Sequence, residues 1–202
     1  MSEKGNATGT DYKYCKGVTR NAVQSDGAAR HVRLIEPMPE MRAEYQAFME
    51  EFIAAGEEGI LYNLPDESSD IVECIRRLKN HTEGIDRMNE GVRCSAFWLL
   101  SEDQTLLGEI HVRHWLTPEL EDYGGHIGYM VRPRLRCKGH GTIMLELGLE
   151  KARLMGLARV LLTCERENAA SARVILKNGG KLVSQSACWR GRVICRYRID
   201  LQ

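Results

Sequence analysis

The chain opens without a repeating apolar pattern and acquires one near residue 31. Residues 1–30 are rich in Gly, Asn, Thr and Ser and follow neither a two-residue nor a 3.6-residue hydrophobic period. They read as an N-terminal extension, flexible or partly ordered. From there Val32 and Leu34 mark a first strand, closed by Pro37. Met41, Tyr45, Phe48, Met49 and Phe52 then recur at helical spacing and Gly56 supplies a stop. A second helix is predicted over "SSDIVECIRRLKN", capped by Ser69 or Asp70, with Ile71, Cys74, Ile75 and Leu78 on one face.

The middle of the chain changes to strand grammar. "SAFWLL" and "TLLGEIHVRHW" flank a polar "SEDQ" and predict an antiparallel pair, with Leu107, Glu109, His111 and Arg113 on one face and Gly108, Ile110 and Val112 on the other. "HIGYMV" is a further strand, "TIMLELGLEKARLMG" a long helix ending at Gly156, and "RVLLT" a short buried strand, an order that implies a crossover between parallel strands. A short helix, "NAASARVILKN", stops at Gly179 and Gly180, and a hairpin around "CWRGR" closes the chain. Residues 31–202 therefore read as a single mixed α/β domain.

Charge narrows the function classes. The 28 Lys and Arg balance 28 Asp and Glu, so a nucleic-acid partner gains no support from the net field. No apolar run approaches the ~18 residues of a membrane span, and the N-terminus lacks a secretory apolar core. The seven cysteines are odd in number and contain no C-x-x-C pair, as expected of reduced thiols in a cytoplasmic protein. A metal is not expected either: His111 and His114 would point to opposite faces of a strand.

Local basicity is concentrated in "VRPRLRCKGHG", which carries Arg132, Arg134, Arg136 and Lys138 beside Gly139, His140 and Gly141. A glycine pair between a strand and a helix start leaves backbone N–H groups without helical partners, which is an anion site, or it makes only a tight turn with a solvated basic rim. The nucleotide-hydrolase loop and the dinucleotide fingerprint both need residues that are absent here.

The stretch from His126 to Gly180 resembles the core of the GNAT family of N-acetyltransferases, in a bacterial branch of predicted acetyltransferases. The resemblance rests on the strand, Arg136-x-x-Gly139-x-Gly141, the apolar helix, "VLLTC", and Asn168-x-x-Ser171 opening a helix that ends in "KNGG". It implies a twisted, mostly antiparallel sheet with a splayed parallel pair and helices on both faces. It also implies acetyl-CoA as co-substrate and direct acetyl transfer to a primary amine, with an acyl-CoA-binding regulatory module as the alternative. Homodimerisation is plausible for such a family.

By the same resemblance, Met130 and Val131 would offer backbone groups to the pantetheine arm. The amides of Arg136, Cys137, Lys138, Gly139, His140, Gly141 and Thr142 would hold the diphosphate, with Asn168 and Ser171 contacting the arm from the next helix. The general base is expected to be Glu109 or His126. Many members carry a tyrosine acid where this chain has Ile175, so Ser171 is the expected acid, with Tyr129, Cys164 or solvent as alternatives. Glu57, Glu58, Asp66, Glu119, Glu121 and Asp122 would suit a cationic acceptor, and Trp98, Trp115 and Trp189 either wall its pocket or belong to the core.

Overall fold

The computed structural model describes residues 18–23, 29–57, 70–80, 91–187 and 191–201. Strand β1 (Val18–Val23) pairs antiparallel with β2 (Ala29–Ile35), and a single 3₁₀ turn leads into α1 (Arg42–Ala54). Helix α2 (Ile71–Asn80) follows, its first turn bonded by Asp70, whose Oδ1 accepts from the Glu73 amide at 2.8 Å. The hairpin β3 (Cys94–Ser101) and β4 (Leu106–Arg113), the short α3 (Pro118–Asp122) and β5 (Ile127–Val131) complete a five-stranded antiparallel sheet ordered β1-β2-β3-β4-β5. After α4 (His140–Leu154), β6 (Arg159–Glu165), α5 (Ala169–Lys177), β7 (Lys181–Ala187) and β8 (Val193–Asp200) follow, and the strands form a second sheet ordered β6-β8-β7.

Two apolar cores sandwich the first sheet. On one side Tyr45, Phe48, Met49 and Phe52 of α1 and Cys74, Ile75 and Leu78 of α2 pack on Ala96, Trp98 and Leu100. On the other, Met144, Leu145 and Leu147 of α4 pack on Phe97, Leu99, Ile110 and Val112 and continue to the second sheet through Val160, Leu162 and Ile199. Strands covered on both faces explain why β3 and β4 are buried almost throughout.

The sheet begins earlier than the apolar pattern does. Val18–Val23 pairs with β2, inside the stretch predicted to be an extension. In "VTRNAV" the central residues are polar, so backbone pairing places this edge strand where side-chain alternation gives no signal. A second difference lies in β4. The register slips between Leu99 and Leu100, leaving Leu107 as an extra residue, and the bulge turns Leu107 toward α4 and Leu106 toward α1. Leu107 therefore does not share a face with Glu109.

Candidate active site

The two sheets meet at one point and diverge from it. At the start of β5 the His126 amide donates to Leu161 O at 2.7 Å, and the Leu161 amide donates to His126 Nδ1 at 3.0 Å. Gly125, at φ +64°, sits so close to β6 that a Cβ there would lie 2.5 Å from Leu161 O. Beyond this joint β5 and β6 belong to separate sheets, leaving a V-shaped cleft.

Strand β5 lines one arm of the V. The bond from the Arg132 amide to Leu107 O, 2.9 Å, fixes the antiparallel alternation. Met130 turns its backbone groups to Glu109 on β4, while those of Tyr129 and Val131 turn to the open edge. The expectation for Met130 is thus corrected by one residue of strand parity: its backbone groups are spent on β4, and it is Tyr129 and Val131 that face the open edge. The Met130 side chain joins the α1 core.

After β5 the chain turns into α4 through Cys137, at φ +61°, and Gly139, at φ +85°. Helix α4 has no side-chain N-cap, and the first helical bonds run from the Thr142 and Ile143 amides to Gly139 O at 3.0 and 3.3 Å. The amides from Cys137 to Gly141 therefore precede any carbonyl the helix could offer them, at its positive end. A Cβ built on Gly139 meets nothing within 4 Å, so that corner of the turn is open space.

The arginines of this turn face α1. Arg132 is 2% exposed and bonds Glu44 at 2.5 Å and Glu51 at 2.7 Å, and Arg134 reaches Glu51 at 2.8 Å. Arg136 forms a two-pronged pair with Glu57 at 2.8 and 2.5 Å, and its amide bonds Pro133 O. The expectation that the Arg136 amide holds the diphosphate is therefore corrected, and its guanidinium too has another partner. Thr142 likewise spends its amide on Gly139 O.

On the opposite arm, Asn168 caps α5 by accepting from the Ser171 amide at 2.9 Å. Ser171 Oγ lies 2.9 Å from Tyr129 Oη, a hydrogen bond between α5 and β5 across the V. Burial pushes the Tyr129 phenol up to about 12, against the opposing pull of Ser171, so it stays protonated. Burial also raises the neighbouring Cys164 thiol, which keeps it a neutral side chain of the core rather than a nucleophile. Ile175 is 1% exposed in that core.

The two expected bases are both committed. Glu109 is 1% exposed beneath Trp98 and Tyr45; its Oε2 accepts from Trp98 Nε1 and its Oε1 bonds His111 Nε2, each at 2.8 Å. His126 accepts at Nδ1, so a neutral ring carries its proton on Nε2 and has no lone pair left. Burial and then Arg113 lower the His126 pKa, which favours that neutral ring. In this structure both are engaged by protein partners, Glu109 by Trp98 and His111, and His126 by Leu161. Sequence alone could not show this, since Trp98 and Leu161 come from other strands, 11 and 35 residues away.

Comparison with known proteins decides what the V and its turn belong to. The family described as "Acetyltransferase (GNAT) domain" matches residues 22–181. The chain is a member of the GNAT acetyltransferase family. Its fold is similar to RimJ from Mycobacterium smegmatis in complex with CoA-disulfide, at 16% identity and TM-score 0.61, covering 90% of this chain and 86% of that one. It is also similar to the microcin C7 self-immunity acetyltransferase MccE in complex with acetyl-CoA and AMP, at 14% identity and TM-score 0.58, covering 84% and 92%. A third is a Salmonella typhimurium acetyl transferase that modifies the N-terminal serine of a 50S ribosomal subunit protein, at 14% identity and TM-score 0.58, covering 85% and 95%. No curated protein matches the chain.

The GNAT fold is the acetyl-CoA-binding fold, and the residues of this chain fit that ligand. The uncapped start of α4 and the open corner at Gly139 offer amide donors and room that suit a diphosphate, and the outward edge of β5 borders the V. Among the described residues no group of His, Cys, Asp and Glu could hold a metal ion, and no helix is long and apolar enough to cross a membrane. Of the expected acceptor-site residues, Trp98 is core and Glu57 pairs with Arg136, whereas Trp115, Glu119, Glu121 and Asp122 are exposed around α3. Glu58, Asp66 and Trp189 lie outside the described residues.

Proposed function

We propose that this GNAT protein is an N-acetyltransferase that uses acetyl-CoA and acetylates a primary amine of low pKa, an α-amino group in particular. The observation that carries the reading is the uncapped, doubly left-handed turn at the mouth of the V. Amides from Cys137 to Gly141, with Lys138 beside them, hold the diphosphate; the edge of β5 at Tyr129 and Val131, with Asn168 and Ser171 opposite, lines the pantetheine track. Acetyl-CoA, when bound, supplies the activated acetyl group.

The acceptor class follows from proton energetics. Freeing the lone pair of a lysine-like amine, pKa ~10.4, costs about 4 to 5 kcal/mol at neutral pH, and asks for a strong general base. An α-amino group, pKa ~7.7–8.0, costs only about 1 kcal/mol. With Glu109 and His126 both bonded elsewhere, the second acceptor is the one this site can serve with solvent as the proton sink. The modified N-terminal serine of the Salmonella relative's target is an acceptor of this type.

Ser171 and Tyr129 act on the leaving side as hydrogen-bond donors rather than proton donors. Moving a proton from a phenol at about 12 to a thiolate of pKa ~8.5 is uphill by about 5 kcal/mol, so the pair steadies negative charge in the V and solvent completes the protonation. Calorimetric titration with acetyl-CoA and with CoA, followed by thiol-release assays, tests the reading. Peptides with a free N-terminus are expected to be acetylated, and N-terminally blocked peptides with an internal lysine are not. Binding without thiol release for any amine would favour a regulatory acyl-CoA-binding module, and the reverse peptide preference would refute the acceptor class.

A further inference from the structure

We infer that Glu57 is a positioning residue for the CoA cradle, acting through Arg136 without touching the ligand. The inference rests on the acetyl-CoA reading of the turn. Three arginines of the turn meet three glutamates: Glu44 and Glu51, seven residues apart on the side of α1 that faces β5, and Glu57, just beyond the end of α1. Arg132 and Arg134 anchor the middle of the turn. Arg136 is the last residue before the chain enters the left-handed backbone at Cys137, so its placement sets where the cradle begins.

Everything that holds Arg136 lies outside the cradle. Its Nε donates to Val131 O at 3.2 Å, its two terminal nitrogens grip the two oxygens of Glu57, and its carbon lies 5.6 Å from the Phe52 ring centre. Glu57 is itself fixed: α1 stops at Gly56, φ +68°, and the Glu57 amide bonds Phe52 O at 2.9 Å. The planar fork of the guanidinium matches one carboxylate face on, which leaves it committed rather than available to a diphosphate. Hydrogen bonding to Arg136 lowers the Glu57 carboxyl below its ordinary value, so the pair persists through mildly acidic pH.

Two roles for Arg136 predict opposite signs. If Arg136 served the diphosphate, Glu57 would compete for it, and Glu57→Gln would tighten CoA binding and steepen its salt dependence. If the pair positions the cradle, the same change weakens binding at any ionic strength. Calorimetric titration of the full chain with CoA, at low and high salt, reads this directly. Glu57→Gln is expected to weaken CoA about fivefold with an unchanged melting temperature and salt slope, the size of one partly exposed ion pair. KM for acetyl-CoA rises with it while KM for the acceptor does not. The paired exchange Glu57→Arg with Arg136→Glu restores affinity. Unchanged or tighter binding by Glu57→Gln, or a paired exchange no better than Arg136→Glu alone, would overturn the inference while leaving the family reading intact. Failure of the unaltered protein to bind CoA would remove both.

Discussion

The buried Glu109–His111 pair makes stability depend on pH in a calculable way. His111 is 1% exposed, and burial by itself would push its pKa down. The hydrogen bonds to Cys94 and Glu109 and the charge of Glu109 outweigh that burial and raise it to about 9. The unfolded value is about 6.5, so the folded state binds the proton more tightly than the unfolded state does. The stabilisation is fully present below pH ~6.5 and is lost as pH rises through about 9. The gap of roughly 2.5 units corresponds to about 3 kcal/mol, a large share of a typical domain's stability. Urea denaturation at steps from pH 6 to 9.5 measures it. Glu109→Gln removes the charge and one of the two hydrogen bonds that hold the proton, leaving the one to Cys94, so the variant should be less stable at pH 6 and should slope less over the same range. A flat profile in the unaltered protein, or an equally sloping one in Glu109→Gln, would refute the argument.

Three further changes probe the cleft. Gly139→Glu puts a side chain on a left-handed residue and a negative charge into the cradle, and should abolish CoA binding in calorimetry while circular dichroism shows a folded protein. Tyr129→Phe and Ser171→Ala each remove one end of the bond across the V and should lower kcat about three- to tenfold with little change in KM for acetyl-CoA, measured by thiol release. Gly125→Ala combines a positive φ with a Cβ 2.5 Å from Leu161 O, and should cost roughly 2 to 3 kcal/mol in chemical denaturation.

Much of the fold is legible in the sequence because it is written in local spacing. The face of α1, the Asp70 cap of α2, the Asn168 cap of α5 and the glycine stops at Gly56, Gly156 and Gly179 depend on residues a turn or less apart. The glycine turn ahead of α4 is legible for the same reason. What stays hidden depends on distance along the chain. Arg136 looks like a phosphate ligand until α1 brings Glu57 to it from 79 residues away. That Glu109 is buried against Trp98 follows from the register of β3 and β4, which Glu109's own neighbours do not encode. The bulge that reverses Leu107 and the edge pairing of β1 are properties of two strands together, and neither strand alone encodes them.

The joint at His126 and Leu161 has a mechanical consequence. Two hydrogen-bonded plates, each internally antiparallel, are joined at one corner by the bonds between His126 and Leu161, from the Gly124 amide to Thr163 Oγ1 and from Arg196 of β8 to the Glu121 and Asp122 carbonyls, and are coupled further through the side chains of α4 and α5. Such a body can breathe by a small change of angle without breaking a ladder. A ligand that fills the V acts as a wedge and a tie at once. Amides of β6 and β8 should therefore exchange with deuterium as one cooperative unit and those of β3 to β5 as another in the empty protein, and the two should merge into a single, slower unit once CoA bridges the plates.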